Sequence, residues 1–216
     1  MLIAARESFA AASRRRLPYD AEIRYLESTG TQYIDTGIPL YSDMQIVVSL
    51  AGLTFTENSL LFGSNASTST SAGQFSAGMF KYQTSRIFSS NYNKTTSSMS
   101  GVVYGDGNHE IRKINNQTYY DGTRKLNVTA VARYYAGGTC YIFWAAGYRG
   151  GIFVNKATAK IASFLLRDSA GTALFDGHAV RVGSGANAVG YLYDRVSGRL
   201  FGNAGTGAFG TGQDIN

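Results

Sequence analysis

The sequence predicts an all-β domain folded as a two-sheet antiparallel β-sandwich. The chain has 216 residues, enough for one large all-β domain with a substantial core. It contains 26 Gly and only 2 Pro, together with 15 Tyr and 12 Phe. Aromatic and β-branched residues favour strands and glycine favours tight turns, so this composition indicates many short strands joined by glycine turns. No long amphipathic helix stands out from the sequence.

Residues 1–18 are rich in Ala, Arg and Ser, and we predict that they form a helical or extended arm before a domain spanning residues 19–216. Such an arm would serve attachment or oligomerisation, and it would stop before Pro18. Its composition also fits an organelle transit peptide. The apolar residues 1–5 are too few for a secretory signal, and Arg6 interrupts them. No run of about twenty apolar residues follows, so no membrane contact is predicted.

The domain begins with a block, residues 25–38, that predicts two short strands around a turn permitted by Gly30. We expect this block to be scaffold, with Tyr33 or Ile34 in the core. In the third strand every second residue from Met44 to Leu50 is apolar, which predicts one inward face. The predicted strands are residues 22–27, 31–36, 44–53, 59–63, 74–82, 85–89, 101–104, 109–115, 118–121, 139–146, 159–167, 172–176, 189–193 and 199–203.

Turn-forming residues separate several of these strands and predict hairpins. Two polar stretches, residues 65–71 and 91–100, have no apolar periodicity and are predicted to be exposed loops. More than ten short strands without intervening helices favour a sandwich of two antiparallel sheets. The predicted hairpin turns are Asn115-Asn116, Asp121-Gly122, Ser169-Ala170-Gly171 and Ser197-Gly198.

The residue patterns of common enzyme sites do not occur, so we predict that the protein is not an enzyme. Glycosidases need two acids projecting from one strand face, and no such strand motif is found. His109, His178 and a single cysteine, Cys140, leave neither a zinc cage nor a Cys–His pair. Cys140 is expected to be a small buried thiol. The Gly-x-Gly-x-x-Gly match at residues 205–210 lacks the strand and helix of a dinucleotide site.

The formal charge of +6 is spread along the chain, apart from a basic run at residues 14–16. Without a recognition motif this charge is a weak signal, so we predict no nucleic-acid partner. Calcium is harder to exclude, because Asp106, Asp121 or Asp176 could each contribute an oxygen ligand. No ligand loop supports a calcium site, and we predict no cofactor.

Exposed aromatic residues are the remaining candidates for a functional site, because the C–H faces of sugars stack on Tyr and Trp rings. Trp144 lies in "CYIFWAAG", which is apolar on both faces, so it is predicted to be in the core. Residues beside polar or glycine-rich segments are better candidates for the surface. The predicted ligand-binding residues are Tyr82, Tyr92, Tyr134, Tyr135, Tyr148 and Arg149.

Three blocks of the sequence belong together: "EIRYLESTGTQYIDTGI", "DGNHEIRKINNQTYYDG", and "KIASFLLRD" followed by "VGYLYDRVSGRLFGNAGTGAFGTG". In this order they resemble the LamG-like, concanavalin A-like jelly-roll modules of bacteriophage tail or other virion proteins and of gut-bacterial surface proteins. The similarity runs from about Tyr19 to about Gly212. In such modules the first block forms the opening strand pair, the middle block a hairpin, and the last block the closing strands.

The resemblance implies a non-enzymatic virion component, and a phage tail or fibre module that binds a bacterial surface glycan is the leading hypothesis. The arm would join the module to other virion proteins or to sister chains, in a homo-oligomer such as a trimer. The protein would be made in the host cytoplasm and reside in the virion. The alternatives are a capsid decoration protein, and a carbohydrate-binding or carbohydrate-active protein of the bacterial cell surface.

Overall fold

The structure, a computed structural model, describes residues 17–54, 59–64, 78–82, 86–91, 94–95, 105–114, 117–127, 133, 135–144 and 155–215. These residues form two sheets whose strands pair antiparallel, with one short parallel exception, and they confirm the predicted all-β sandwich. The predicted arm lies outside this part of the chain except for Leu17 and Pro18. None of the described residues belongs to a helix long and apolar enough to cross a membrane.

The described strands follow one another along the chain with short connections. The first nine are β1 (Ala21–Glu22), β2 (Leu26–Thr29), β3 (Ile34–Tyr41), β4 (Gln45–Thr54), β5 (Ser59–Gly63), β6 (Gly78–Tyr82), β7 (Arg86–Asn91), β8 (Lys94–Thr95) and β9 (Gly105–Ile114). The others are β10 (Gln117–Tyr120), β11 (Thr123–Asn127), β12 (Tyr135–Ile142), β13 (Asn155–Lys156), β14 (Thr158–Arg167), β15 (Ala173–Val182), β16 (Val189–Asp194), β17 (Arg199–Phe201) and β18 (Gly210–Thr211). A single 3-10 turn, Gly185–Asn187, interrupts the described strands.

The larger sheet has the strand order β11-β10-β9-β4-β14-β15-β16-β17. Strand β2 pairs with one end of β14 and with β18, while β1 pairs with β15. The smaller sheet has the order β3-β12-β5-β6-β7-β8, with β13 parallel to β5. Phe62 of the smaller sheet meets Phe164 of the larger one with ring centroids 5.8 Å apart, so the two inner faces share one core.

Strand β4 shows why the larger sheet has one apolar face. Met44, Ile46, Val48 and Leu50 are all buried, as the alternation in the sequence predicted, and they alternate with partly exposed residues. Four such side chains burying most of their apolar area contribute about 6 to 12 kcal/mol of transfer free energy before entropy is counted. This strand fixes which face of β9 and β14 points to solvent, because both pair with it.

The opening block is a crossover between sheets, so its two strands are not a pair. Strand β2 belongs to the larger sheet and β3 to the smaller one. Gly30, with φ of 96°, turns the chain between them. The buried Gln32 side chain accepts a hydrogen bond from the Thr29 N–H at 2.8 Å and donates one to the Ala208 carbonyl at 2.9 Å. The turn is therefore tied to the end of the domain, a contact no local pattern predicts.

The last described residues lie against this opening block. Strand β18 pairs with β2, and Ile23 forms an isolated bridge with Asp214. The Asp214 carboxylate accepts from Arg181 at 2.6 Å and 2.7 Å, and the pair lowers the pKa of Asp214. Residues 210–215 thus close the larger sheet beside residues 22–27.

The turn between β16 and β17 is organised by a buried carboxylate. Asp194 accepts hydrogen bonds from the backbone N–H groups of Asp176, Val196 and Ser197, and a fourth from the Ser197 hydroxyl. Only 2% of Asp194 is exposed. A buried carboxylate is tolerated because its lone pairs are satisfied, so Asp194 belongs to the scaffold.

Two of the predicted hairpin turns are seen directly and place the strands around them. Asp121 and Gly122 have φ of 48° and 73° and connect β10 to β11, and Gly198 has φ of 71° in the turn to β17. Strand β11 was not predicted, because Thr123-Arg124-Lys125 carries no apolar alternation. The predicted loop at residues 65–71 lies outside the described residues.

The prediction that Trp144 lies in the core is wrong. Ile142 and Phe143 are both fully buried although they are consecutive, which breaks the alternation of a strand. Phe143 has φ of 67°, a left-handed conformation that is a genuine outlier for a bulky residue. This residue turns the backbone, so Trp144 is only partly buried.

One lysine of the larger sheet points inward. Lys113 of β9 is 1% exposed, and its ammonium donates to the Ser42 carbonyl at 3.4 Å. Burial lowers the pKa of Lys113 to about 8, although the nearby Asp43 acts in the opposite direction. The buried ammonium therefore costs folding free energy at neutral pH.

Candidate functional site

A groove on the outer face of the larger sheet is the best-formed concave site in the described part of the chain. It encloses about 630 Å³, within the range of known ligand sites. A second hollow of about 230 Å³ adjoins it, since both are lined by Asp106 and Lys160. The residues lining the larger hollow, which we call the groove, are Arg24, Tyr25, Ala51, Asp106, Gly107, Asn108, Lys160 and Ile215.

Strand register places the charged centre of the groove. In β14, Lys160 lies between the buried Ala159 and Ile161, so its side chain points away from the core. Lys160 is opposite Gly52 of β4, and Gly52 is opposite Asp106 of β9. The lysine and the aspartate therefore stand in one row across three strands.

The ion pair at this centre passes over Gly52. The Lys160 ammonium lies 2.6 Å from Asp106 Oδ1. A Cβ on Gly52 would sit 2.9 Å from that oxygen and 3.2 Å from Lys160 Cδ, so a side chain there would push the pair aside. Glycine at this position is what allows the two groups to meet.

The electrostatics of the pair leave its carboxylate open to a ligand. The Asp106 side chain is 80% exposed, whereas that of Lys160 is 22% exposed. The hydrogen bond to Asp106 raises the pKa of Lys160, so the lysine is charged at neutral pH. Because the pair is solvated, it adds little to stability, and its polar atoms remain available to solvent and ligands.

Tyr25 supplies the aromatic wall of the groove. The Lys160 ammonium lies 5.2 Å from the centroid of the Tyr25 ring, within cation–π range. A Cβ on Gly212 would come within 3.0 Å of this ring, so the C-terminal tail packs closely against it. The Gly212 N–H also donates to the Tyr25 carbonyl at 2.9 Å. The ring position is thus set by the closure of the sheet.

The adjoining hollow adds a second carboxylate. Glu27 of β2 is opposite Lys160 in the register, on the side away from Gly52. Glu27 and Asp106 both line this hollow, which is otherwise surrounded by small and hydroxyl-bearing residues. Two acids and a lysine therefore share one solvent-facing row.

The sequence-predicted binding residues do not form this groove. Among them only Tyr135 has a described side chain, which is 44% exposed and belongs to the smaller sheet. Its ring lies 5.1 Å from that of Tyr41, which also carries the Arg133 guanidinium at 4.1 Å. The backbone of Tyr82 ends β6, while its side chain lies outside the described residues, as do Tyr92, Tyr134, Tyr148 and Arg149.

The groove residues were missed because their signal is long-range. Tyr25 was predicted to be scaffold, and Asp106 was considered only as a surface charge or a calcium ligand. Residues 52, 106 and 160 are far apart in sequence and meet through the pairing of β9, β4 and β14. An isolated glycine in a strand signals a bulge or close approach, and Gly52 inside β4 was the one available clue.

The three aspartates considered for calcium each have another partner. Asp106 pairs with Lys160, and Asp176 contacts His178 at 2.9 Å. Asp121 accepts from the Glu110 N–H and contacts His109 Nδ1, both at 2.8 Å. The residues that the structure describes contain no cluster of three or more potential metal ligands.

Cys140 is a buried thiol, as predicted. It is 0% exposed within the core, and burial raises the pKa of its thiol. A thiol that stays protonated and inaccessible is not a nucleophile.

Comparisons with known proteins identify no relative of this chain. No family model matches it, and no curated protein matches it.

Proposed function

We propose that the protein is a non-enzymatic adhesion module that binds a bacterial surface glycan in the groove. The observation that carries this proposal is the row of Lys160, Gly52 and Asp106 beside the Tyr25 ring. It combines a flat apolar surface with a charged donor and a charged acceptor in a concave site.

The chemistry of the row suits a sugar ring. A sugar hydroxyl donates one hydrogen bond and accepts others, so it can donate to the Asp106 carboxylate while accepting from Lys160. The Asn108 side chain adds another donor and acceptor at the same wall. The apolar C–H face of the ring would then stack on Tyr25.

The place of the protein in a virion is proposed from the sequence resemblance. We propose a module of a phage tail or fibre with a jelly-roll fold, in which residues 1–18 join other virion proteins or sister chains. A role as a capsid decoration protein, or on the bacterial cell surface, is the alternative. The fold class supports a recognition module but does not select among these locations.

A carbohydrate-active enzyme is the second candidate function, and one observation favours it. Glu27 and Asp106 line the same hollow, as a pair of catalytic carboxylates would. A general acid, however, needs an environment that disfavours its ionised form. The Asp106 side chain is 80% exposed and paired with Lys160, so we favour binding over hydrolysis.

The first experiment distinguishes binding from hydrolysis. The purified full-length protein is applied to an array of bacterial lipopolysaccharides and capsular polysaccharides, and each glycan it retains is then incubated with it. The proposal predicts retention of at least one glycan with no release of reducing ends. Release of reducing sugar that disappears in Glu27→Gln would support the enzyme, and retention of no glycan would refute the adhesion role.

The assembly is tested separately, by light scattering of the full chain and of a variant lacking residues 1–18. The proposal predicts a defined oligomer, such as a trimer, that becomes smaller when the arm is removed. A monomer in both samples would remove the oligomerising role from the arm, without affecting the groove.

A further inference from the structure

We infer that the smaller sheet carries a second binding site, formed by Tyr33, Tyr141, Trp144 and Lys156, which takes an acidic sugar residue. We call these four residues the aromatic cluster. It lies on the opposite sheet from the groove, and its own contacts carry the inference. It extends the proposed glycan binding to a second site, and its test separates the two.

Three partly exposed rings meet in the cluster. The centroid of Tyr33 lies 4.6 Å from that of Trp144 and 6.0 Å from that of Tyr141, and Tyr141 and Trp144 are 5.4 Å apart. The rings are tilted by 51° to 74° relative to one another. They therefore offer faces in several directions, as needed to border a ligand ring.

Trp144 is held outward at a cost in backbone strain. The left-handed φ of 67° at Phe143 costs about 1 to 3 kcal/mol for a residue of this type. The surrounding structure enforces it, since the Phe143 N–H donates to the Leu61 carbonyl at 2.6 Å and its carbonyl accepts from Ala157 at 2.8 Å. The Phe143 side chain is itself fully buried. A core that retains such strain to expose an indole points to a role for that indole.

Tyr33 is also fixed before any ligand arrives. Its N–H donates to Asn203 Oδ1 at 3.1 Å, and its carbonyl accepts from Ala204 at 2.8 Å. Tyr141 is held in β12 between Asp35 of β3 and Gly63 of β5. Side chains already positioned in this way lose little entropy on binding.

Lys156 selects the charge of the ligand. Its ammonium lies 5.2 Å from the Trp144 centroid and 5.4 Å from that of Tyr33. None of the ion pairs formed by the described residues involves Lys156. The carboxylate opposite Tyr141, Asp35, is engaged by the Thr139 hydroxyl at 2.7 Å and by the Gly37 N–H at 2.9 Å. A sugar carboxylate is the complementary partner for a lysine held over two rings.

The test uses the fact that Trp144 is the only tryptophan in the chain. Its emission is recorded while the full-length protein is titrated with galacturonic, glucuronic or N-acetylneuraminic acid, and with galactose and glucose as neutral counterparts. We expect at least one acid to quench or shift the emission, with an apparent affinity about tenfold above that of its neutral counterpart. Lys156→Gln is expected to remove this preference while keeping the emission spectrum.

Two further variants keep the outcome interpretable. Asp106→Asn removes the acceptor in the groove and should leave the fluorescence titration unchanged, whereas Tyr141→Ala, checked for folding by thermal melting, should weaken it. Trp144 emission that none of the acids changes, or an equal response to acids and neutral sugars in the wild type and Lys156→Gln, would overturn the inference. Loss of the response in Asp106→Asn would assign it to the groove instead.

Discussion

Two aspartates of the larger sheet, Asp194 in the turn after β16 and Asp106 in the groove, show how one residue type serves two purposes. Asp194 is 2% exposed and accepts four hydrogen bonds from its own turn and from Asp176. Asp106 is 80% exposed in its side chain and has Lys160 as its ionic partner. A carboxylate whose lone pairs are filled by the protein holds the fold, while one that faces solvent can exchange water for a ligand.

The largest effect is expected on the scaffold side of this comparison. Asp194→Ala leaves three backbone N–H groups and a hydroxyl without their acceptor, so it should lower the free energy of unfolding by about 3 to 5 kcal/mol. Urea denaturation followed by circular dichroism measures this. A loss below about 1 kcal/mol would show that Asp194 is not a structural centre.

The two lysines extend the comparison, because Lys113 is buried while Lys160 is solvated. The pKa of Lys113 is lowered to about 8, so between about pH 8 and 10.5 the folded protein has lost a proton that the unfolded chain keeps. Stability should rise with pH across this window, by up to about 3 kcal/mol from this group. Lys113→Met should raise stability at pH 7 and flatten the rise, as measured by denaturation at several pH values. A destabilised variant with an unchanged pH profile would contradict this.

The crossover at Gln32 should give an intermediate effect. Gln32→Leu keeps the size of the side chain but leaves the Thr29 N–H and the Ala208 carbonyl without their partner, which should cost about 1 to 3 kcal/mol. Thermal melting measures the change. Thr31→Val, at an exposed neighbour whose hydroxyl donates to the Thr206 carbonyl, is the control and should cost less.

The smallest effect on stability is expected in the groove. Asp106→Asn removes one solvated ion pair and should change the free energy of unfolding by less than about 1 kcal/mol. Gly52→Ala should likewise leave the fold intact, since Gly52 has an ordinary backbone conformation, but it should displace the Lys160–Asp106 pair. A loss of several kcal/mol in either variant would place this row in the scaffold.

The sequence predicted the parts of the fold that local patterns determine. The alternation from Met44 to Leu50 gave the inward face of β4, and Asp121-Gly122 gave a hairpin turn. It did not predict that the opening block crosses between sheets, because the partners of β2 and β3 lie more than 100 residues away. Trp144 was misplaced for a local reason, since the left-handed Phe143 breaks the alternation on which the prediction relied.

The candidate site was less predictable than the fold. Asp106 and Lys160 are ordinary surface residues in the sequence, and they become a site only through the register across Gly52. Five of the six predicted binding residues lie outside the described side chains, so that part of the binding hypothesis stays a prediction.

The most direct test of the groove compares three variants on the glycans that the wild type retains. Asp106→Asn and Gly52→Ala both disturb the row, while Glu110→Gln removes a carboxylate that is 44% exposed on the same sheet and does not line the groove. Isothermal titration with each retained glycan should show affinity reduced about tenfold or more in the first two variants. It should be unchanged in the third. Wild-type affinity in both row variants would contradict the assignment of glycan binding to the groove.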